Sequence, residues 1–190
     1  AGWSSKDVRP YFRRAEGNTI LAGEWHGIDG PLGVSNIPDP HPLTRAFVQS
    51  CQQMGMPYNP DFNGRSQAGA GVYQTTIRNA RRCSAAVAYL RPARSRSNLT
   101  VETDCLVARV VVEKGRATGV EVARNGRIET IRAEKEVIVS SGAIGSPKLL
   151  MLSGIGPADH LRSVGVAVNH DLPGVGQNLN DHFGIDIIYE

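Results

Sequence analysis

The junction within residues 136–156 constrains the fold more than any other part of the chain, because an apolar segment turns directly into a helix there. Residues 137–139 are Val, Ile and Val, which predict a strand buried on both faces, as in a parallel sheet covered by helices. Ser141, Gly142 and Ala143 then remove side-chain bulk at the carboxyl end of that strand. Open α/β sheets bind ligands at this end, so the junction is a candidate site.

The helix after this junction has its own start and stop signals. Ser146 and Pro147 predict its start, as a hydroxyl cap followed by a proline at the first helical position. Gly154 predicts its end, because glycine readily adopts the left-handed conformation that follows a helix. Any buried strand-to-helix turn favours small residues, so this junction taken alone leaves ligand binding and simple packing both open.

Periodic apolar residues and turn signals predict the other helices of the chain. We expect helices at residues 5–16 with Ser5 as the cap, 43–54, 84–90 with Pro92 ending the helix, and 158–164. Residues 72–76 are expected to be extended, and glycine-rich and proline-rich loops connect these elements.

A three-stranded antiparallel meander is predicted between residues 98 and 132. Its first β-forming residues are Leu99, Val101 and the valines from Val107 to Val112, and residues 119–123 and 128–131 are the strands that follow. Lys114 and Gly115 form its first turn. Asn125 and Gly126 form the second turn, because both central positions of the favoured hairpin turn need positive φ.

Composition excludes several classes of function. No stretch approaches the roughly 18 uncharged apolar residues of a membrane helix, and the first ten residues carry no signal-peptide core, so a cytoplasmic location is expected. The three cysteines are widely spaced without a CxxC pair, which predicts reduced thiols. The five histidines show no metal-ligand spacing, and we expect no metal.

Arginines are concentrated in the middle of the chain. No acidic residue occurs between Asp61 and Glu102, while seven arginines fall in that gap. Such a basic stretch is compatible with an anionic partner, but it lacks the interleaved aromatic residues of a single-strand binder. Ion pairing with acids elsewhere in a larger protein is therefore favoured, and no nucleic-acid partner is expected.

The phosphate-binding fingerprint of dinucleotide sites is absent from the sequence. GxGxxG lets the backbone approach a pyrophosphate between a strand and a helix. The nearest candidates begin at Gly69, Gly154 and Gly174, and each lacks the third glycine. A clamp for a cofactor's phosphates is therefore not predicted within these residues.

Several motifs in consistent order resemble the glucose-methanol-choline (GMC) oxidoreductases, a family of FAD-dependent enzymes that oxidise alcohols. The junction resembles the family's second signature, with Gly142, Ala143, Ser146, Pro147 and the SGIG that ends at Gly156. Further matching segments are WSSKDVRPYFRRAE at the start, HGIDGP from His26, DFNG from Asp61, NLTV from Asn98 and DLPGVGQNLNDH ending at His182. The resemblance therefore runs along the whole chain.

This resemblance implies a fold and a domain organisation. The fold class would be α/β with α+β character, forming part of an FAD-binding Rossmann-like domain that carries the antiparallel meander, plus part of a substrate domain. Residues 1–60 would belong to the substrate or cap region and residues 61–172 to the middle of the FAD-binding domain. Residues 173–190 would return as a loop toward the substrate domain.

The resemblance also implies a cofactor site. In the family, the backbone of a valine after the NLTV element contacts the adenine part of FAD, and Val107 corresponds to it. Ser141, Gly142 and Ala143 correspond to the strand end beside the cofactor's adenosine. The family's phosphate clamp lies before the matched region and its catalytic histidine lies after it, so no catalytic residue is expected here, and His182 matches a structural position.

The implied function is the middle portion of an FAD-dependent oxidoreductase. It would oxidise a primary or secondary alcohol, a small-molecule substrate, by hydride transfer to the flavin. The isolated chain would be inactive. The alternative is a naturally truncated, non-catalytic relative that acts as a binding module.

Overall fold

The computed structural model describes residues 2–184, and the chain divides into two compact units between Thr100 and Val101. The expected domain boundaries after residues 60 and 172 refer to a complete enzyme and stay predictions. The expected C-terminal loop, residues 173–190, lies in part outside the described residues.

The first unit begins with helix α1, Ser5–Ala15, much as predicted. Its cap is Ser4 rather than Ser5: the Ser4 hydroxyl accepts a bond from Asp7 N at 3.3 Å, and the Asp7 carboxylate accepts from Ser4 N at 3.1 Å. This reciprocal capping box satisfies two backbone donors that a helix start leaves free. Strand β1, Glu16–Asn18, follows directly and pairs in parallel with β2, Leu32–Val34.

The rest of the first unit contains the second predicted helix and a short hairpin. Helix α2 spans Pro42–Gln53, close to the predicted residues 43–54. Strands β3, Ile77–Arg78, and β4, Arg81–Arg82, form the hairpin. The expected extended piece at residues 72–76 forms only an isolated bridge, between Thr75 and Ser35.

Pro92 does not end the third helix, contrary to prediction. A π-helical turn, Ala86–Leu90, leads into the short helix α3, Arg91–Ala93, which contains the proline. The Arg91 N–H bonds back to the Ala86 carbonyl across the wide turn. Pro92 then occupies the first turn of α3, where its missing N–H is tolerated.

The second unit is built on the predicted meander. Strands β5, Leu106–Glu113, β6, Arg116–Arg124, and β7, Arg127–Arg132, form one antiparallel sheet in that order. Both turns have positive φ at their two central residues, with Asn125 at 49° and Gly126 at 74° in the second. Both predicted hairpin turns are therefore confirmed, whereas Leu99 and Val101 precede β5 and lie in no strand.

The predicted buried strand at residues 137–139 is wrong. The segment has no strand pairing among the described residues, and Ile138 is 77% exposed. A parallel strand is held by hydrogen bonds to its neighbours, and without neighbouring strands the apolar pattern alone does not form one.

The following helix starts earlier than predicted. Helix α4 spans Gly142–Leu152, so Pro147 lies inside it, and the Ser146 hydroxyl accepts a bond from Ser141 N at 3.0 Å. Pro147 is the sixth residue of α4 and lies beyond the four N–H groups that a helix start leaves without intrahelical partners, so its missing N–H removes one backbone bond of the second turn. Gly154 adopts φ +77° after the last turn, which confirms the predicted end.

Helix α5, Ala158–Ser163, and the parallel pair β8, Ile155–Gly156, and β9, His170–Asp171, complete the described part of this unit. The helix agrees with the predicted residues 158–164. Leu161 is fully buried, and the other buried apolar residues of this unit are Val110, Val122, Leu149 and Val175.

Candidate cofactor-binding site

Val107 lies in β5, opposite Val122 of β6, and is 37% exposed. Strand β5 is at the edge of its three-stranded sheet, so one side of its backbone faces no other strand of that sheet. The pairing shifts register between Val107 and Arg109, which marks a bulge. Bulges at sheet edges are common next to active sites, where they redirect a side chain, so Val107 lies beside a bulge on an edge strand.

Ser141, Gly142 and Ala143 lie together where α4 begins. Gly142 has φ +82°, and a Cβ added there would meet no atom within 4 Å. The first turn of α4 contains no acidic residue and has no side-chain cap. Its free N–H groups carry a partial positive charge, so the start of α4 is open to a polar group that accepts hydrogen bonds.

A cavity of about 710 Å³ borders this helix start, with Ala143 in its wall. Its lining is mainly aliphatic, and Lys148 and His160 are the ionisable residues that reach it. The volume falls within the roughly 300–1,000 Å³ of small-molecule pockets. The candidate residues 141–143 therefore lie beside space that a ligand could fill.

Ser153 connects α4 to β5, a contact that the sequence did not predict, although the residue belongs to the SGIG segment of the resemblance. It is 2% exposed, its hydroxyl donates to the Leu149 carbonyl at 2.6 Å, and it accepts from Val110 N at 2.8 Å. This contact lies at the opposite end of α4 from Ser141 and fixes the helix to the strand that carries Val107. In the sequence, the only sign of this contact is a serine directly after an apolar helix.

The first unit contains a buried ionic cluster that sequence reasoning also missed. The His26 side chain is 4% exposed, with Nδ1 at 2.9 Å from a Glu16 oxygen and Nε2 at 3.0 Å from Asp61 Oδ2. Ionised carboxylates only accept hydrogen bonds, so both contacts form together when both ring nitrogens carry a proton, as in the imidazolium ion. Two of the matching segments, HGIDGP and DFNG, supply His26 and Asp61, but their spacing did not reveal the pairing.

The surroundings of His26 raise its pKa above the ordinary 6.5. Burial acts to lower the pKa, but the hydrogen bonds and charges of Glu16 and Asp61 together outweigh it. The same Glu16 carboxylate accepts from Gly27 N at 3.1 Å and from Asn18 Nδ2 at 2.9 Å. The cluster thus joins three separate segments of the first unit.

Residues 2–184 contain no group of three or more His, Cys, Asp or Glu side chains arranged to hold a metal ion. Within the same range, no helix has the length and apolar character needed to cross a membrane. The three cysteines, Cys51, Cys83 and Cys105, are free thiols.

One known protein family matches almost the whole chain. Residues 1–184 match the family described as GMC oxidoreductase. The chain belongs to the GMC oxidoreductase family. The predicted family and α/β fold class are therefore confirmed, and members of this family bind FAD.

Relatives from bacteria and animals share about half of the residues. The oxygen-dependent choline dehydrogenase of Sinorhizobium fredii is 50% identical over 95% of this chain and 33% of its own length. The mitochondrial choline dehydrogenase of Homo sapiens is 51% identical over 98% of this chain and 31% of its own length. The GMC chain thus spans about a third of the length of these relatives.

A solved structure shows the same fold in a flavoprotein. The FAD-dependent oxidoreductase from Chaetomium thermophilum matches 95% of this GMC chain with a TM-score of 0.89 and 29% identity, and the match covers 34% of that protein. The arrangement of helices and strands described above is therefore one that recurs inside a larger FAD-dependent enzyme.

Proposed function

We propose that this chain is the middle portion of an FAD-dependent oxidoreductase that oxidises a primary or secondary alcohol, with choline as the first candidate substrate. The observation that carries the proposal is the match of residues 1–184 to the GMC family together with about 50% identity to choline dehydrogenases. Since the chain spans a third of those relatives, the activity belongs to the complete protein.

The residues at the candidate site fit the adenosine side of FAD. The open space around Gly142 allows close approach to the backbone at the start of α4, and Val107 lies on an accessible sheet edge. We propose that the Val107 backbone and residues 141–143 form this wall. When bound in the complete enzyme, FAD supplies the acceptor for the hydride that leaves the alcohol carbon.

The other parts of the chain would support that wall. Ser153 holds α4 against β5, and so fixes the spacing of the helix and strand that bear the proposed contacts. We propose the domain assignment given above for the complete enzyme, with residues 1–60 in the substrate domain and residues 61–172 in the FAD-binding domain.

Sequencing the gene on both sides of these residues tests the proposal. We expect an upstream GxGxxG and a downstream catalytic histidine, and the expressed full-length product should carry FAD and oxidise choline. The purified 190-residue chain should be colourless and inactive, because the phosphate clamp is absent from its sequence.

Two results would contradict the proposal. Stoichiometric flavin absorbance in the purified 190-residue chain would show that the clamp is not needed. Native start and stop codons at the ends of the chain would favour the truncated relative that acts as a binding module.

A further inference from the structure

The hairpin β3–β4 in the first unit places like charges against each other. Arg78 pairs directly with Arg81 across the two strands, and Arg82 pairs with Ile77. Like charges on opposite residues of an antiparallel pair destabilise it. The hairpin therefore carries an unfavourable arrangement that an anion nearby would relieve.

The turn of the same hairpin is strained. Asn79 and Ala80 have φ of 52° and 57°. Asparagine tolerates the left-handed region, but alanine adopts it rarely because its Cβ crowds the following carbonyl. A two-residue hairpin turn requires positive φ at both central positions, so the turn itself imposes this strain on Ala80.

The arginines of the hairpin open onto a concave surface. Arg78, Arg81, Arg82 and Arg91 all line one groove of about 500 Å³, which also contacts the buried thiol of Cys83. We call this surface the arginine groove. Arg78 donates to the Gly30 carbonyl at 3.1 Å, and none of the four arginines forms an ion pair within the described part of the chain.

We propose that the arginine groove docks a segment rich in Asp and Glu from the rest of the same enzyme, outside these 190 residues. The inference rests on the proposed function, because it needs the longer parent chain. Guanidinium groups bind carboxylates through paired N–H donors, and the arginines that line the groove supply such donors.

Two observations favour this occupant over other anions. The acid-free stretch between Asp61 and Glu102 leaves the groove without counter-charges of its own, and about two thirds of the relatives' length lies outside the matched region. A nucleic-acid partner is disfavoured because no aromatic residue lines the groove on which a base could stack.

Zero-length cross-linking in the full-length gene product tests the occupant. Arg91→Lys places an amine in the groove, and a carbodiimide then joins that amine to a contacting carboxylate as an amide. We expect mass spectrometry to find the cross-link to an Asp or Glu of the same polypeptide, outside these 190 residues. Arg94→Lys is the control, because Arg94 does not line the groove and should give no such product.

Titration of the 190-residue chain tests the ligand chemistry. We expect a Glu-rich peptide to bind about tenfold more weakly to Arg81→Gln/Arg82→Gln than to the unaltered chain, and more weakly as salt increases. Arg94→Gln/Arg96→Gln removes the same charge outside the groove and should bind the peptide like the unaltered chain. Equal loss in both variants, or tighter binding of inorganic pyrophosphate than of the peptide, would overturn the proposal.

Different results would overturn the docking segment and the proposed function. A long reading frame whose product carries flavin, but in which Arg91→Lys cross-links only to another protein or not at all, overturns the docking inference alone. A cross-linked full-length product that binds no FAD overturns the proposed function and keeps the docking segment.

Discussion

At the scale of single residues, Ser153 is a buried polar group with both of its hydrogen bonds satisfied. It serves a buried part of the strand edge and a helix end at once, since it accepts from Val110 N and donates to the Leu149 carbonyl. Because the edge strand β5 lacks a partner strand on that side, the serine hydroxyl satisfies a backbone donor that would otherwise be buried without one.

Ser153→Ala should therefore destabilise the second unit. Removing the hydroxyl leaves the Val110 N–H buried and unpaired, which costs about 1–3 kcal/mol. Urea denaturation followed by far-UV circular dichroism measures the change. The control is Ser163→Ala, since that exposed hydroxyl bonds only to the His160 carbonyl, and it should change stability by under about 0.5 kcal/mol. Equal effects of the two variants would show that the Val110 contact is unimportant.

His26 gives the first unit a defined pH dependence. A raised pKa means that the folded state binds the proton more tightly than the unfolded state. The stabilisation is therefore complete below the ordinary pKa of 6.5 and is lost as the pH rises through the raised value. The groups that face the ring and its backbone are Glu16, Asp61 and Arg13, whose Nε lies 3.5 Å from the His26 carbonyl oxygen.

We expect the urea midpoint of the first unit to fall as the pH is raised above 6.5, and His26→Gln to remove that slope. Both tryptophans, Trp3 and Trp25, belong to this unit, so fluorescence follows its unfolding selectively. His182→Gln changes an exposed histidine outside the cluster and should keep the slope. A slope that persists in His26→Gln would assign the pH dependence to another group.

At the scale of secondary-structure elements, the two glycines that follow helices α4 and α5 are a matched pair. Gly154 and Gly165 have φ of +77° and +75°. A Cβ at Gly154 would lie 2.4 Å from the Ala167 carbonyl oxygen, whereas one at Gly165 would meet nothing within 4 Å. Both glycines supply the same backbone conformation. Only at Gly154 does the missing Cβ also let the backbone at Ala167 come close.

Alanine substitution separates these two effects. Gly165→Ala should cost about 1 kcal/mol, from the left-handed conformation alone. Gly154→Ala adds a collision with backbone and should cost at least about 2 kcal/mol more than that. Thermal unfolding of the two variants side by side measures the difference. Equal losses would show that the Ala167 segment moves away freely.

The sequence predicted elements whose signals are local. The Asn125–Gly126 turn and the end of α4 at Gly154 were predicted correctly because positive φ is a property of those residues themselves. The strand at residues 137–139 was predicted wrongly because its apolar pattern is typical of a strand that lies between other strands. No strand of the described residues pairs with it. The helix start was placed too late because a serine–proline pair typically begins a helix, whereas Ser146 and Pro147 lie within the second turn of α4.

Prediction of the candidate site from the sequence was also limited to local signals. The resemblance placed Val107 and residues 141–143 in a cofactor wall, but no local pattern could show that Ser153 joins their helix and strand. The His26 cluster depends on side chains 10 and 35 residues away along the chain. Such contacts arise only from the path of the folded backbone.

At the scale of the whole molecule, several large apolar side chains are left uncovered. Examples from both units are Trp3 and Phe12 in the first and Ile138, Ile144 and Phe183 in the second. Large exposed apolar surfaces on soluble proteins commonly mark places that another surface covers. This exposure agrees with a chain that spans a third of its relatives' length, and it supports the proposal that function belongs to the complete protein.

Two leucine substitutions test the proposed FAD wall in the complete protein. Both should lower its stability by a similar amount through backbone strain. Gly142 and Gly165 both have positive φ and open space around them, so leucine should cost each a similar 1–2 kcal/mol of stability. Only Gly142→Leu fills the space beside the start of α4.

We therefore expect Gly142→Leu to weaken FAD binding by about tenfold, about 1.4 kcal/mol, while Gly165→Leu keeps the flavin content of the unaltered enzyme. The ratio of visible flavin absorbance to ultraviolet protein absorbance measures that content, and circular dichroism confirms that both variants are folded. Equal flavin content in the two folded variants would remove residues 141–143 from the cofactor wall, because a leucine beside the adenosine could not be accommodated without displacing it.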